Sequence, residues 1–138
     1  MSIEIGTPAL LFPAISLLLL AYTNRYIALA SLVRTLHARY LEHNTVQTTE
    51  QLRNLAMRIK LIRAMQASGI LSLICCVACM FLLFENLQTL GQITFGISLS
   101  LMLLSLILSF REVQISYRAL RIELSDVAEL SEELKKTF

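Results

Sequence analysis

Residues 93–110 read ITFGISLSLMLLSLILSF, a run without a charge that is closed by Arg111 and Glu112. A helix that crosses a bilayer needs about 20 mostly apolar residues, within a range of about 17 to 25, and this run meets that length. Working back along the chain, residues 67–84 read ASGILSLICCVACMFLLF between Arg63 and Glu85. Residues 8–22 read PALLFPAISLLLLAY between Glu4 and Arg25. The first run reaches spanning length once Gly6, Thr7, Thr23 and Asn24 are counted. It has no basic stretch before it and no small-residue cleavage site after it, so it reads as a retained helix rather than a signal peptide. The reading is an all-α, integral membrane fold over residues 1–138, with spans at about 7–24, 66–84 and 93–110.

Composition agrees. Of 138 residues, 56% are hydrophobic and 16% charged, against about 25% charged in an ordinary soluble protein. The length excludes large α/β enzymes and barrels. Four glycines and two prolines leave little turn material, which favours few, long elements. The three cysteines all fall in the second apolar run and make no disulfide framework.

The basic residues set an orientation. All 12 Lys and Arg lie between the first and second runs or after the third, whereas the opposite side holds only Glu4 and Glu85. By the positive-inside rule the N-terminus is outside and the C-terminus cytoplasmic. Helical patterning continues on the cytoplasmic side, in extensions at 25–65 and 111–138. Leu29, Leu32, Leu36 and Tyr40 keep helical spacing, His43-Asn44 reads as a stop, and Thr48-x-x-Gln51 resembles a capping box. Leu52, Leu55, Ile59 and Ile62 form the next stripe. After the third run, Val113, Tyr117, Leu120, Leu124, Val127 and Leu134 recur on a heptad-like spacing. Such stripes stay exposed in one protomer, so a homo-oligomeric bundle is expected. Thr7-Pro8 suits an N-cap followed by proline, Pro13 is placed to kink the first helix, and Glu85 to Gln92, with Gly91, reads as the outer loop.

Several short motifs mark a family resemblance: Thr23-Asn24-Arg25 and Arg34 after the first span, Arg58 with Leu61-Ile62 before the second, and Phe110-Arg111-Glu112 with Ser116 after the third. Together they resemble a family of small bacterial membrane proteins known as a domain of unknown function. The resemblance implies three helices in a bacterial inner membrane and supplies no activity.

The third helix carries a polar stripe. Thr94, Ser98, Ser105, Ser109, Glu112, Ser116 and Glu123 all lie within about 60° of arc at 100° per residue. Such a line of hydroxyls leading to a carboxylate can line a cation-leaning pore, or it can pack helices, since Ser and Thr allow close approach and hydrogen bonds across it. In the second helix Ser68, Ser72, Cys75 and Cys79, with Gly69 and Cys76, read as a small-residue seam. Buried thiols without a base or carboxylate are poor redox or metal groups. Arg25 and Glu112 reach similar depth, with Asn24 beside the arginine, as a gate or as a structural interfacial ion pair.

The segment from Arg25 to Arg63, with seven basic and two acidic residues, is a candidate for anionic lipid headgroups. It lacks the aromatic platform of a nucleic-acid binder. His37 and His43 have no ligand set around them. No phosphate-cradling loop, nucleophile elbow or metal motif is present, so the expectation is a non-enzyme without cofactor or metal. The reading leans to a homo-oligomeric, cation-leaning conducting pore with a cytoplasmic vestibule; the alternative is a non-conducting scaffold or accessory subunit that binds a partner or anionic lipid. A stripe facing an oligomer axis favours the first; a stripe buried within one protomer favours the second.

Overall fold

Long apolar runs without helix-breaking pairs lead to long helices. The computed structural model describes residues 2–42 and 46–137, which form α1 (Gly6–Glu42), α2 (Val46–Phe84) and α3 (Gln88–Thr137). Each contains a stretch long and apolar enough to cross a membrane, and there is no strand among the described residues. Every helix also runs well past its apolar run on the side rich in Lys and Arg.

The helix ends differ from the simplest reading in three places. α1 starts at Gly6, so Thr7 lies inside the first turn, its N–H donating to the Glu4 carbonyl at 3.1 Å. Pro8 is tolerated in that turn because its missing N–H has no intrahelical partner there, and α1 continues through Pro13. α2 starts at Val46, ahead of the expected cap at Thr48, and the expected stop at His43-Asn44 lies outside the described residues.

The connection between α2 and α3 is shorter than Glu85 to Gln92. The Asn86 N–H donates to Leu83 carbonyl at 3.1 Å and the Leu87 N–H to Leu82 carbonyl at 3.0 Å. With Asn86 at φ 62°, these two bonds form a Schellman cap, in which a left-handed residue satisfies the last helical carbonyls. Asn adopts that conformation more readily than most residues. Gly91 is therefore not a loop residue. It sits in the first turns of α3, buried against α2, where an added Cβ would lie 2.7 Å from Leu83 Cδ2.

The buried residues follow a strict repeat of seven. On α1 they are Pro8, Ile15, Tyr22 and Leu29; on α3 they are Gly91, Ser98, Ser105 and Glu112. α2 lies between them and buries two positions per heptad, among them Leu55, Ile62, Met65, Ser72, Cys76, Cys79 and Leu83. A repeat of seven drifts about 20° per heptad on a straight helix, so helices that keep it wind into a left-handed supercoil. α2 packs extensively on both neighbours, whereas α1 and α3 touch lightly. The small side chains of α3 let it lie close to α2, as in other membrane helix interfaces. Leu17, Leu20, Ile74, Phe81, Ile97 and Ile107 point outward, so the outside of the spans is more apolar than the seam inside.

Candidate functional site

The polar stripe of α3 is drawn into the protomer. Nearest the Asn86 turn, the Cys79 thiol donates to the Gly91 carbonyl at 3.2 Å, and Cys76 donates to the Pro8 carbonyl at 3.0 Å. The next layer is reciprocal. The Ser72 hydroxyl donates to the Ser98 carbonyl at 2.8 Å, and the Ser98 hydroxyl donates to the Ser72 carbonyl at 2.8 Å. One heptad further, Ser105 Oγ lies 3.0 Å from the Met65 carbonyl and 3.2 Å from Tyr22 Oη. Its single proton goes to the carbonyl, which accepts only, so the Tyr22 hydroxyl donates to Ser105. Gln66 Nε2 donates to Thr23 Oγ1 at 3.2 Å and ties α2 to α1.

The last layer is ionic. Glu112, 3% exposed, accepts from Arg25 Nη1 at 2.9 Å and from Arg58 Nη2 at 3.2 Å, so each of the three helices contributes one charge. The Ser116 hydroxyl donates to Glu112 Oε1 at 2.9 Å, and Arg58 Nη2 also reaches Ser116 Oγ. Both carboxylate oxygens are therefore engaged. A carboxylate buried without partners is costly, and the charge-assisted hydrogen bonds from two guanidiniums offset that cost here. Leu29 and Leu55 are both buried in the apolar cluster that also holds Tyr22, Ile62 and Met65.

The other expected site residues are scattered around this line. Thr94 is half-buried and donates to the Leu90 carbonyl of its own helix at 2.8 Å. Ser109 and Ser116 are half-buried, while Glu123 and Asn24 are exposed. No side-chain hydrogen bond or ion pair joins Asn24 to Arg25 or Glu112. On α2, Ser68, Gly69, Ser72, Cys76 and Cys79 are buried and Cys75 is half-buried. The thiols are unpaired. His37 is exposed, and His43 lies outside the described residues.

Arg58 is the member that the charge pattern did not place in the ionic layer. Counting back along α2 from Ser72 by alternating threes and fours gives Gly69, Met65, Ile62, Arg58 and Leu55, so an arginine stands at a core position. A charge there calls for a buried counter-ion, and Glu112 is the carboxylate at that depth.

A family model described as protein of unknown function (DUF2721) matches residues 5–122. The chain belongs to the DUF2721 family. The match takes in all three apolar runs and the whole ionic layer, and it ends at Ile122, part-way down the extension of α3. No curated protein and no solved structure matches the chain.

Proposed function

We propose that this DUF2721 member is a non-enzymatic, non-conducting scaffold of the bacterial inner membrane, N-terminus outside, that self-associates through the cytoplasmic extension of α3. One observation carries this reading: Ser98, Ser105 and Glu112, the centre of the polar stripe, have their hydrogen-bonding groups satisfied by α1 and α2 of the same chain. A pore lined by that stripe would have to draw on side chains already engaged elsewhere, so the conducting reading has less support.

What α3 leaves free is apolar. Beyond Ser116 every described residue of α3 is exposed, and Tyr117, Leu120, Leu124, Val127 and Leu134 are each more than half exposed on one heptad-like stripe. That stripe follows the register of a coiled-coil seam, and an apolar seam of this length in water favours a partner surface. A second copy offers the same repeat and length, so the parallel pairing of identical extensions is the simplest occupant.

The test combines mass and flux on the full chain. Native mass measurement in detergent is expected to show an oligomer that falls to smaller species in Leu120→Asp/Leu124→Asp. Proteoliposomes of the wild type are expected to pass ions no faster than empty vesicles. Selective cation flux that drops in Glu112→Gln would overturn the scaffold reading in favour of a pore, and a monomeric wild type would remove self-association.

A further inference from the structure

The geometry points to a binding site for a phosphate anion in the cleft between α1 and α3, held by the guanidinium groups of Arg25 and Arg58. The cleft has a volume of about 420 Å³ and is lined by Arg25, Leu29 and Leu32 of α1, Arg58 of α2, and Glu112 and Ser116 of α3. That size falls within the range of about 300–1,000 Å³ of small-molecule sites. It opens where α1 and α3 lie side by side with little contact between them.

The charge balance favours an anion. Two guanidiniums face one carboxylate, which leaves the cluster with one surplus positive charge. The carboxylate is the enclosed member: Glu112 has both oxygens engaged by Arg25, Arg58 and Ser116, and its side chain is 4% exposed. The Arg25 side chain is 41% exposed on the cleft wall, with one Nη on Glu112. Arg58 Nε is buried without any hydrogen-bond partner. The arginines therefore offer more donors than the one carboxylate can accept, and a planar donor fork matches the oxygen geometry of a phosphate.

Depth supports the same ligand. Arg25 follows directly on the first span and Glu112 stands two residues after the last apolar position, Phe110, so on the three-span reading the cleft lies at the headgroup level of one leaflet. The phosphate can belong to an anionic phospholipid there or to a soluble phosphate compound. The chemistry of capture is the same.

The experiment uses the full chain in neutral detergent, mixed with phosphatidylglycerol or phosphatidylcholine, with bound lipid counted by native mass spectrometry. The wild type is expected to retain phosphatidylglycerol over phosphatidylcholine. Arg25→Gln leaves the Arg58–Glu112 pair in place and is expected to weaken that retention by about tenfold, the loss of one charge-assisted contact. Arg25→Lys, which keeps the charge without the fork, is expected to fall between them, and Arg39→Gln, an exposed basic residue lower on α1, is expected to retain lipid as the wild type does. Displacement of the lipid by millimolar inorganic phosphate identifies a soluble phosphate as the natural source, whereas resistance to it identifies the lipid headgroup. Equal retention of both lipids by the wild type, an unchanged Arg25→Gln, or an equal loss in Arg39→Gln overturns the site.

Discussion

Ser72 and Ser98 each donate a hydroxyl proton to the other's backbone carbonyl, at 2.8 Å in both directions. The pair clamps α2 to α3 midway through the spans with no group left unsatisfied. Hydrogen bonds between membrane helices average only about 0.6 kcal/mol, so Ser98→Ala is expected to cost about that amount and the double change to alanine less than the sum of the singles. Size matters more here than polarity. Ser98→Leu forces a large side chain into a fully buried position and is expected to cost about 1–3 kcal/mol, measured by unfolding the purified protein from mild detergent into SDS.

Two glycines of α3 should respond oppositely to alanine. A Cβ at Gly91 would meet Leu83 at 2.7 Å, whereas a Cβ at Gly96 would meet nothing within 4 Å. Gly91→Ala is expected to lower the unfolding midpoint and Leu83→Ala to rescue part of that loss. Gly96→Ala is expected to be neutral or mildly stabilising, because alanine gives up less backbone entropy in a helix than glycine does. If both changes have the same effect, the close approach at Gly91 is wrong.

The ionic layer should show graded dependence on its three members. Arg58 and Glu112 are the more enclosed pair, at 19% and 4% side-chain exposure. Breaking a fully buried pair costs about 3–5 kcal/mol, and an interfacial one less. Glu112→Gln and Arg58→Gln are therefore expected to destabilise strongly, and Arg25→Gln weakly, since solvent already screens it. A double-mutant cycle on Arg58 and Glu112 should recover a substantial coupling energy; strict additivity would exclude a direct pair.

Topology gives a fourth test. A cysteine at Ser2 is expected to react with a membrane-impermeant thiol reagent on intact cells, and one at Lys136 only after permeabilisation, in a background where Cys75, Cys76 and Cys79 are serine. Reaction of both from outside would contradict three spans.

Three helices, their apolar runs and the polar face of α3 were legible in the sequence because length and periodicity encode them directly. The interior of the bundle was harder to read. In water the buried face is the apolar one, but here Leu17, Ile74 and Ile107 face outward while Gly91, Ser98 and Ser105 are enclosed. On α3 the hydrophobic pattern therefore marks the outward side and small residues at a spacing of seven mark the buried one, whereas α1 and α2 also bury Ile15, Tyr22, Leu29, Leu55, Ile62 and Met65. Gly91 reads as a loop residue in the sequence, whereas Asn86, an ordinary polar residue between two apolar runs, already makes the turn. Arg58 was legible only through the core register of α2, since among so many basic residues nearby its charge alone did not distinguish it. The Arg25–Glu112 contact followed from depth.

A repeat of seven carries an ambiguity that the ionic layer removes. Gly91, Ser98 and Ser105 are all small, so their packing distinguishes one heptad from the next less sharply than a charge does. A slide of one heptad would set Ser105 opposite Arg58 and leave two guanidiniums without a counter-ion, and the tight turn at Asn86 opposes the same slide from the other end of that repeat. Charge and turn thus pin the two ends of the buried repeat of α3, where one carboxylate admits a single alignment. Glu112 closes the buried repeat of α3 at the end where no turn holds α3 to α2, so a single side chain settles there how both arginine-bearing helices meet it.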